Sequence, residues 1–196
     1  MTIKTCFFDM GNVLVHFSHE KMCQNIAVLC GWTQAQTKTY LIEEGRQWKL
    51  ERGEVSEEQF HDDICQATGK VLDIDDLRHA AADIFWLNES IIPVLHQLKT
   101  AGMRLVLLSN TSVTHLKFIE RNFSVLELMD DRVTSFEAGA LKPDDRIYEV
   151  AMSKAMCQPD ECFYPDIRND KCLGKRSLVL CTVRRAVLVR NETRSF

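Results

Sequence analysis

The sequence predicts an α/β fold: a three-layer, doubly wound parallel sheet with an all-helical subdomain inserted after the first strand. Short apolar runs alternate along the chain with segments whose apolar residues recur at helical spacing, as is typical of parallel sheets covered by helices. A long block after the first run has helical spacing without strand alternation. These observations predict a core domain of residues 1–16 and 90–196 and a helical cap domain of residues 17–89.

The first apolar run, residues 3–8, predicts a strand that ends at Asp9, and the chain then turns at Gly11 and Asn12. The helical block follows, and the helices predicted in it cover residues 21–29 and 34–44, a helix capped by Ser56 with Gln59 at the capping-box position, and residues 73–85. An insertion at this point would lie over the carboxyl edge of the sheet as a lid.

The second half of the chain alternates between helices and strands. The elements predicted there are a helix over 91–100, a strand over 104–108, a helix over 114–122, a strand over 133–136, a helix over 144–156 and a strand over 162–164. The run at 104–108 is strongly apolar, which is typical of a parallel strand that is buried on both faces.

The composition is that of an ordinary globular chain, with 196 residues of which 45% are hydrophobic. Its net charge of −4 gives no overall attraction to nucleic acid or to anionic membranes. The charge is unevenly distributed, because residues 168–196 carry eight basic and two acidic side chains and residues 1–167 carry 16 and 26. We interpret this basic segment as a C-terminal end whose sequence has departed, by frameshift or divergence, from the pattern of the preceding residues. We do not interpret it as a polyanion-binding tail.

The sequence shows neither a signal peptide nor an apolar stretch of membrane-spanning length, which predicts a cytoplasmic protein. Its eight cysteines are scattered and form no CxxC pair, so reduced thiols are expected and structural zinc is not. The oligomeric state is left open.

Polar side chains suited to phosphoryl chemistry follow the predicted strands. Asp9 follows the first strand and Ser109 and Asn110 follow the second, while Lys142 and Asp166 come after the two later ones. Because the carboxyl ends of parallel strands meet at one edge of a sheet, these groups are expected to lie together. A nucleophilic carboxylate, a hydroxyl with turn N–H groups, a lysine and a second carboxylate suit phosphoryl transfer through an aspartyl intermediate with Mg²⁺.

Three of these segments resemble the motifs of the haloacid dehalogenase-like hydrolase superfamily, with its helical cap. They are residues 7–15, FFDMGNVLV, in the FDxGNV form; residues 107–111, LLSNT; and residues 139–144, GALKPD, followed by Ile147 and Tyr148. Residues 51–56, ERGEVS, resemble the cap segment of the subgroup that includes bacterial α-D-glucose-1-phosphate phosphatase. The similarity extends from residue 1 to about residue 166.

The resemblance implies roles for the residues at the predicted sheet edge. Asp9 would attack the phosphorus atom, and Lys142 would pair with both the nucleophile and the phosphate. Ser109 and Asn12, with the backbone N–H groups near Asn110, would hold the phosphoryl oxygens. The cap would close over the site and select the leaving group.

The resemblance also implies a Mg²⁺ site formed by Asp9, the carbonyl of Gly11 and Asp166. The sequence departs from the superfamily pattern at two places. Gly11 stands where most phosphatases of the superfamily have an aspartate that acts as general acid and base, although the glucose-1-phosphatase-like subgroup shares this glycine. In the fourth motif only Asp166 follows the last strand where two adjacent aspartates are usual, and Asp170 is too far along the chain to replace the second.

These features predict a Mg²⁺-dependent phosphatase that acts on a small phosphorylated metabolite such as a sugar phosphate, without a nucleic-acid or membrane partner. One alternative is a catalytically impaired relative that binds a ligand or a partner. Another is a 2-haloacid dehalogenase, which uses the same nucleophilic aspartate on carbon. That class resembles FDxYGT at the first motif, and residues 11–13 of this chain read GNV instead.

Overall fold

The computed structural model describes residues 2–164, and its central sheet is parallel, as predicted. The strands in chain order are β1 (Thr5–Phe8), β2 (Val15–Phe17), β3 (Phe85–Leu87), β4 (Arg104–Ser109), β5 (Asp131–Thr134) and β6 (Cys162–Phe163). The parallel sheet has the order β5, β4, β1, β6, whereas β2 and β3 form a separate antiparallel ribbon. The α/β fold class predicted from the sequence is therefore confirmed.

Nine α-helices lie within the described part of the chain. They are α1 (His19–Cys30), α2 (Gln34–Lys38), α3 (Arg46–Glu51), α4 (Glu57–Thr68), α5 (Ile74–Ala82), α6 (Ile92–Thr100), α7 (Val113–Asn122), α8 (Ser135–Ala138) and α9 (Asp145–Ala155). A π-helical turn at Thr39–Glu43 continues α2. Helices α1 to α5 come from the block between β2 and β3, whereas the later helices alternate with strands of the parallel sheet.

Both faces of the parallel sheet are covered by helices, because successive side chains of a strand point to opposite faces. Phe8 of β1 and its partner Leu107 of β4 belong to a core cluster completed by residues of α6 and α7. Phe7 and its partner Val106 belong to a second cluster, completed by residues of α8 and α9. This two-sided burial explains why the central strands are almost continuously apolar.

The inserted helices have a hydrophobic core of their own. Met22 and Ile26 of α1 pack in one cluster with Ile64 of α4 and Leu77 of α5, and all four side chains are buried. Because this cluster is separate from those of the sheet, helices α1 to α5 form a distinct packing unit. The predicted cap of residues 17–89 spans these helices and β3, whereas Val15 and His16 of β2 precede it.

The helix starts predicted at Ser56 and Asp73 agree with the structure, whereas α1 begins at His19, two residues before the predicted start. Ser56 caps α4 by accepting a hydrogen bond from the N–H of Gln59 at 3.1 Å. Asp73 caps α5 by accepting hydrogen bonds from two N–H groups of the first turn. Each cap satisfies backbone donors that the helix itself leaves without a partner.

The insertion is not all-helical, so that part of the prediction was wrong. Phe85–Leu87 forms β3 and pairs antiparallel with β2, whose last residue is Phe17. Each strand has three residues, which is too short for an alternating pattern to stand out beside the helices around it. The ribbon leads the chain into and out of the inserted helices and brings Phe17 next to the loop after β1.

The strand predicted over 133–136 lies earlier, at Asp131–Thr134, and Ser135 begins α8 instead. The first half of this edge strand is charged, so the apolar pattern missed it. Asp131 is neutralised across the sheet by Arg104, with 2.9 Å between Oδ2 and Nη2.

Several sequence predictions concern residues outside the described range. These are the predicted metal ligand Asp166, the altered fourth motif and the basic segment at 168–196. Within residues 2–164, the six cysteines carry free thiols. No helix in this range has both the length and the apolar character required to span a bilayer.

Candidate active site

Asp9 is the first residue after β1 and lies at the carboxyl edge of the sheet, where it is 6% exposed. Its Oδ1 accepts a hydrogen bond from the N–H of Met10 at 2.8 Å. Its Oδ2 forms an ion pair with Nζ of Lys142, also at 2.8 Å. The attraction between the two charges offsets the free-energy cost of removing each of them from water. The structure thus brings together the two residues that the sequence identified as catalytic.

The ammonium of Lys142 contacts two further oxygen atoms at the same edge. It donates hydrogen bonds to the carbonyl of Leu108 at 3.0 Å and to the hydroxyl of Tyr164 at 3.1 Å. Sequence reasoning missed Tyr164. Its position directly after β6, which corresponds to that of Asp9 after β1, was the signal that could have identified it.

Ser109 ends β4 and Asn110 follows it, and β4 is the neighbour of β1 in the sheet, so both residues lie at the same sheet edge as Asp9. Ser109 is buried, and its hydroxyl makes one long hydrogen bond, 3.3 Å, to the carbonyl of Asn110. The side chain of Asn110 is bonded to the main chain of Lys142. Both residues therefore lie at the carboxyl edge of the sheet, and the Asn110 amide contacts the loop that contains Lys142.

The loop after β1 turns at Gly11 and Asn12. Asn12 has a left-handed backbone conformation, with φ of 60°, and an exposed side chain. Its N–H donates to the carbonyl of Val15 at 2.7 Å. A Cβ atom placed on Gly11 would lie 2.7 Å from Cε1 of Phe17, so the ring of Phe17 fills the space beside this glycine.

The loop also supplies two of the three predicted metal ligands. The Asp9 carboxylate and the Gly11 carbonyl are oxygen donors of the kind that Mg²⁺ prefers, and Asp166 lies outside the described residues. Residues 2–164 contain no cluster of three histidine, cysteine or acidic side chains that could hold a metal ion by themselves. The donors that are described fit magnesium in chemical type.

Comparison with known proteins identifies the family. The sequence model of haloacid dehalogenase-like hydrolases matches residues 3–164, which is most of the chain.

This chain belongs to the haloacid dehalogenase-like hydrolases.

Solved structures of this family share the fold. A haloacid dehalogenase family enzyme from Bacteroides thetaiotaomicron is 23% identical, with a TM-score of 0.73 and 84% of each chain covered. A further structure of that enzyme contains magnesium and inorganic phosphate. A predicted hydrolase of the same family from Porphyromonas gingivalis is also 23% identical, with a TM-score of 0.71 and coverage of 84% of this chain and 82% of that one.

In this haloacid dehalogenase-like hydrolase, Ser135 connects the inserted helices with the turn that follows β4. The buried hydroxyl of Ser135 accepts a hydrogen bond from the N–H of Thr111 at 2.9 Å and lies 2.5 Å from the carbonyl of Glu51 in α3. Close by, a Cβ on Gly53 would lie 2.8 Å from the carbonyl oxygen of Phe136. The backbone at the end of α3 and in the turn after it therefore contacts α8 of the sheet domain directly.

A second contact between the two parts of this hydrolase involves a buried histidine. His115 of α7 is 6% exposed, and its Nε2 lies 3.2 Å from the carbonyl of Ala81 in α5. Burial lowers the pKa of His115 to about 4, so the imidazole is neutral at pH 7. A proton on Nε2 allows the ring to donate to this carbonyl.

Proposed function

We propose that this hydrolase is a Mg²⁺-dependent phosphatase that acts on a small phosphorylated metabolite in the cytoplasm. The observation that carries the proposal is the buried ion pair between Asp9 and Lys142, at 2.8 Å, beside Ser109 at the end of the neighbouring strand. A fixed carboxylate next to a cation and a hydroxyl suits attack on a phosphate ester, because the attacking group and the groups that bind the charged oxygens converge.

Asp9 is the nucleophile in this proposal. One of its carboxylate oxygens forms a bond to phosphorus while the bond from phosphorus to the ester oxygen breaks and leaves its electron pair on the departing alcohol. Water then attacks the aspartyl phosphate, releases inorganic phosphate and restores the carboxylate. The Met10 N–H at 2.8 Å and the Lys142 ammonium hold the two carboxylate oxygens in place for these steps.

The phosphoryl oxygens are bound by the neighbouring donors. Among the described residues, the Ser109 hydroxyl makes a single long hydrogen bond, 3.3 Å, to the carbonyl of Asn110, so it can turn to a phosphate oxygen. The Lys142 ammonium, the backbone N–H of Asn110 and Asn12 of the first loop complete the predicted set. Positive charge at this position stabilises the charge that builds on the oxygens during transfer.

Magnesium would be held by the Asp9 carboxylate, the Gly11 carbonyl and, as the sequence predicts, Asp166. When bound, it supplies Lewis-acid polarisation of a phosphate oxygen and orients the phosphoryl group. The magnesium and phosphate bound in the Bacteroides enzyme support this choice of cofactor.

The surroundings of Gly11 favour a particular kind of leaving group. The Phe17 ring occupies the space in which a side chain at residue 11 would lie, so that position cannot supply a general acid. General acid catalysis typically contributes 10²–10⁴-fold, which matters least where the leaving oxygen is already stable as an anion. Phosphate on the anomeric carbon of a sugar is such a substrate.

Phosphate release from a panel of sugar phosphates and other small esters tests the proposal. We expect Mg²⁺-dependent release by the full chain, and a fall of at least about 10³-fold in Asp9→Asn, which removes the nucleophile but keeps the shape. Asp62→Asn is the matched control, because Asp62 is 82% exposed on α4. Activity that survives Asp9→Asn, or no release from any substrate, would overturn the proposal.

A catalytically impaired binding protein is the second candidate, and the filled space beside Gly11 favours it. Calorimetric titration with Mg²⁺ separates the two. Binding in the millimolar range or tighter that is lost in Asp166→Asn favours the enzyme, whereas the absence of metal binding favours the binding protein. Halide release from 2-haloacids would point to the dehalogenase instead.

A further inference from the structure

Asn110 and Lys142 are linked in both directions, although they are far apart in the sequence. The N–H of Lys142 donates to Oδ1 of Asn110 at 2.7 Å, and Nδ2 of Asn110 donates to the carbonyl of Lys142 at 3.2 Å. Paired bonds to one planar group fix its orientation as well as its distance. The side chain of Asn110 therefore sets where the lysine main chain lies relative to the end of β4.

The same strand end also fixes the other end of the lysine. Nζ of Lys142 donates to the carbonyl of Leu108, two residues before Asn110, at 3.0 Å. A lysine carries its charge on a flexible four-carbon stem. The ammonium therefore has a fixed position only if both the main chain and the ammonium of the lysine are held by neighbouring groups. The end of β4 holds both, and the ammonium then reaches Oδ2 of Asp9 at 2.8 Å.

We propose that Asn110 is a positioning residue for Lys142. Its side-chain amide holds the lysine main chain so that the ammonium stays on Asp9 and faces the phosphoryl group. The role is additional to the phosphate binding predicted for the backbone near Asn110, because the side chain and the backbone N–H are separate groups. The catalytic part of the proposal rests on the proposed function, whereas the effect on Lys142 itself does not.

Asn110→Ala removes both bonds and provides the first test. Lys142 is only 10% exposed, whereas Lys99 is 36% exposed and serves as an internal reference. We expect an amine-reactive ester to modify Lys142 several-fold faster in Asn110→Ala than in the native chain, relative to Lys99, as measured by peptide mass spectrometry. An unchanged ratio would overturn the proposal.

Asn122→Ala is the matched control for this experiment. The amide of Asn122 also donates to a main-chain carbonyl, that of Phe118 at 2.8 Å, but on the exposed surface of α7. Its removal should leave the Lys142 to Lys99 labelling ratio unchanged. We call the two hydrogen bonds between Asn110 and the Lys142 main chain the clamp. An equal rise in both variants would mean that a general loosening of the fold, rather than loss of the clamp, exposes Lys142, and would overturn the proposal.

A double-mutant cycle on phosphate release tests the catalytic part. Asn110→Ala should lower kcat by roughly 10–100-fold, the scale expected for misplacement of a catalytic group by about 1 Å. In the Lys142→Met background the same substitution should change kcat little, because the group that it positions is already gone. A fall of equal size in both backgrounds would show that Asn110 does not act through Lys142.

Asn110→Asp keeps the proposal falsifiable if the alanine variant fails to fold. Its carboxylate can still accept from the N–H of Lys142, but it cannot donate to the carbonyl. Its labelling ratio should lie between those of the native chain and Asn110→Ala, and a native ratio would count against the clamp. If no substrate is hydrolysed, the proposed phosphatase function fails, and the labelling result still decides whether Asn110 positions Lys142.

Discussion

The contact between Gly11 and Phe17 determines what the first loop can contribute to catalysis. Phe17 ends β2 and packs against Phe85 of β3, with 6.1 Å between the ring centroids. Its ring also meets the imidazole of His19 edge-on at 4.9 Å. Because the ring is held on two sides, it cannot move aside freely, and glycine is the residue that fits at position 11.

Gly11→Ala should therefore destabilise the fold. The new Cβ would lie 2.7 Å from Cε1 of Phe17, and overpacking of this kind typically costs about 1–3 kcal/mol. Urea unfolding measures the change in the free energy of unfolding. The control is the Phe17→Leu background, in which the ring is absent. There the destabilisation by Gly11→Ala should drop below about 1 kcal/mol. The same cost in both backgrounds would show that the strain arises elsewhere in the loop.

At the scale of elements, the turn after α3 touches the sheet domain at α8. Gly53 has a left-handed backbone with φ of 73°, and its α-carbon faces the carbonyl of Phe136. The hydroxyl of Ser135, the first residue of α8, lies between the carbonyl of Glu51 and the N–H of Thr111. A movement of α3 would therefore displace the turn that follows β4, next to the residues predicted to bind phosphate.

Gly53→Ala and Gly69→Ala form a matched pair that measures the closeness of this contact. Both glycines have positive φ, 73° and 66°, so each substitution should cost about 1–2 kcal/mol of backbone strain. Only at Gly53 does the new Cβ meet another group, the Phe136 carbonyl at 2.8 Å, whereas Gly69 has open space. We expect Gly53→Ala to cost about 1–3 kcal/mol more in urea unfolding. Equal costs would show that α3 and α8 can separate without penalty.

On the scale of the whole molecule, the parallel sheet could be predicted because it depends on local patterns, and the same patterns assigned the candidate site to one of its edges. An apolar run that ends in a polar residue identified Asp9 and Ser109, and parallel pairing of β1 with β4 then brought them together. The clamp on Lys142 could not be predicted, because it joins residues 110 and 142, whose separation in space depends on the packed fold. The three-residue strand β3 was missed because its pattern is too short.

A buried histidine also connects the sheet domain with the inserted helices. His115 belongs to α7 of the sheet domain, yet its Nε2 is bonded to Ala81 of the inserted helices and its ring contacts Phe85 at 5.2 Å. Desolvation is the main cause of its low pKa, and the nearby His19 lowers it further. A proton on this ring would place an uncompensated charge where the two units meet.

The stability of the fold should consequently fall with acidification in a defined range. The unfolded chain binds a proton on His115 near pH 6.5 and the folded protein only near pH 4. The unfolded state therefore holds more protons between these values, so the contribution of His115 to the free energy of unfolding decreases by about 3 kcal/mol as the pH drops from about 6.5 to about 4. Below that range this contribution does not change further. Urea unfolding across this range measures the slope. His115→Gln, whose amide can still donate to Ala81 but does not titrate, should remove that decrease, whereas the exposed His96→Gln should retain it. A native slope in His115→Gln would assign the pH dependence to other groups.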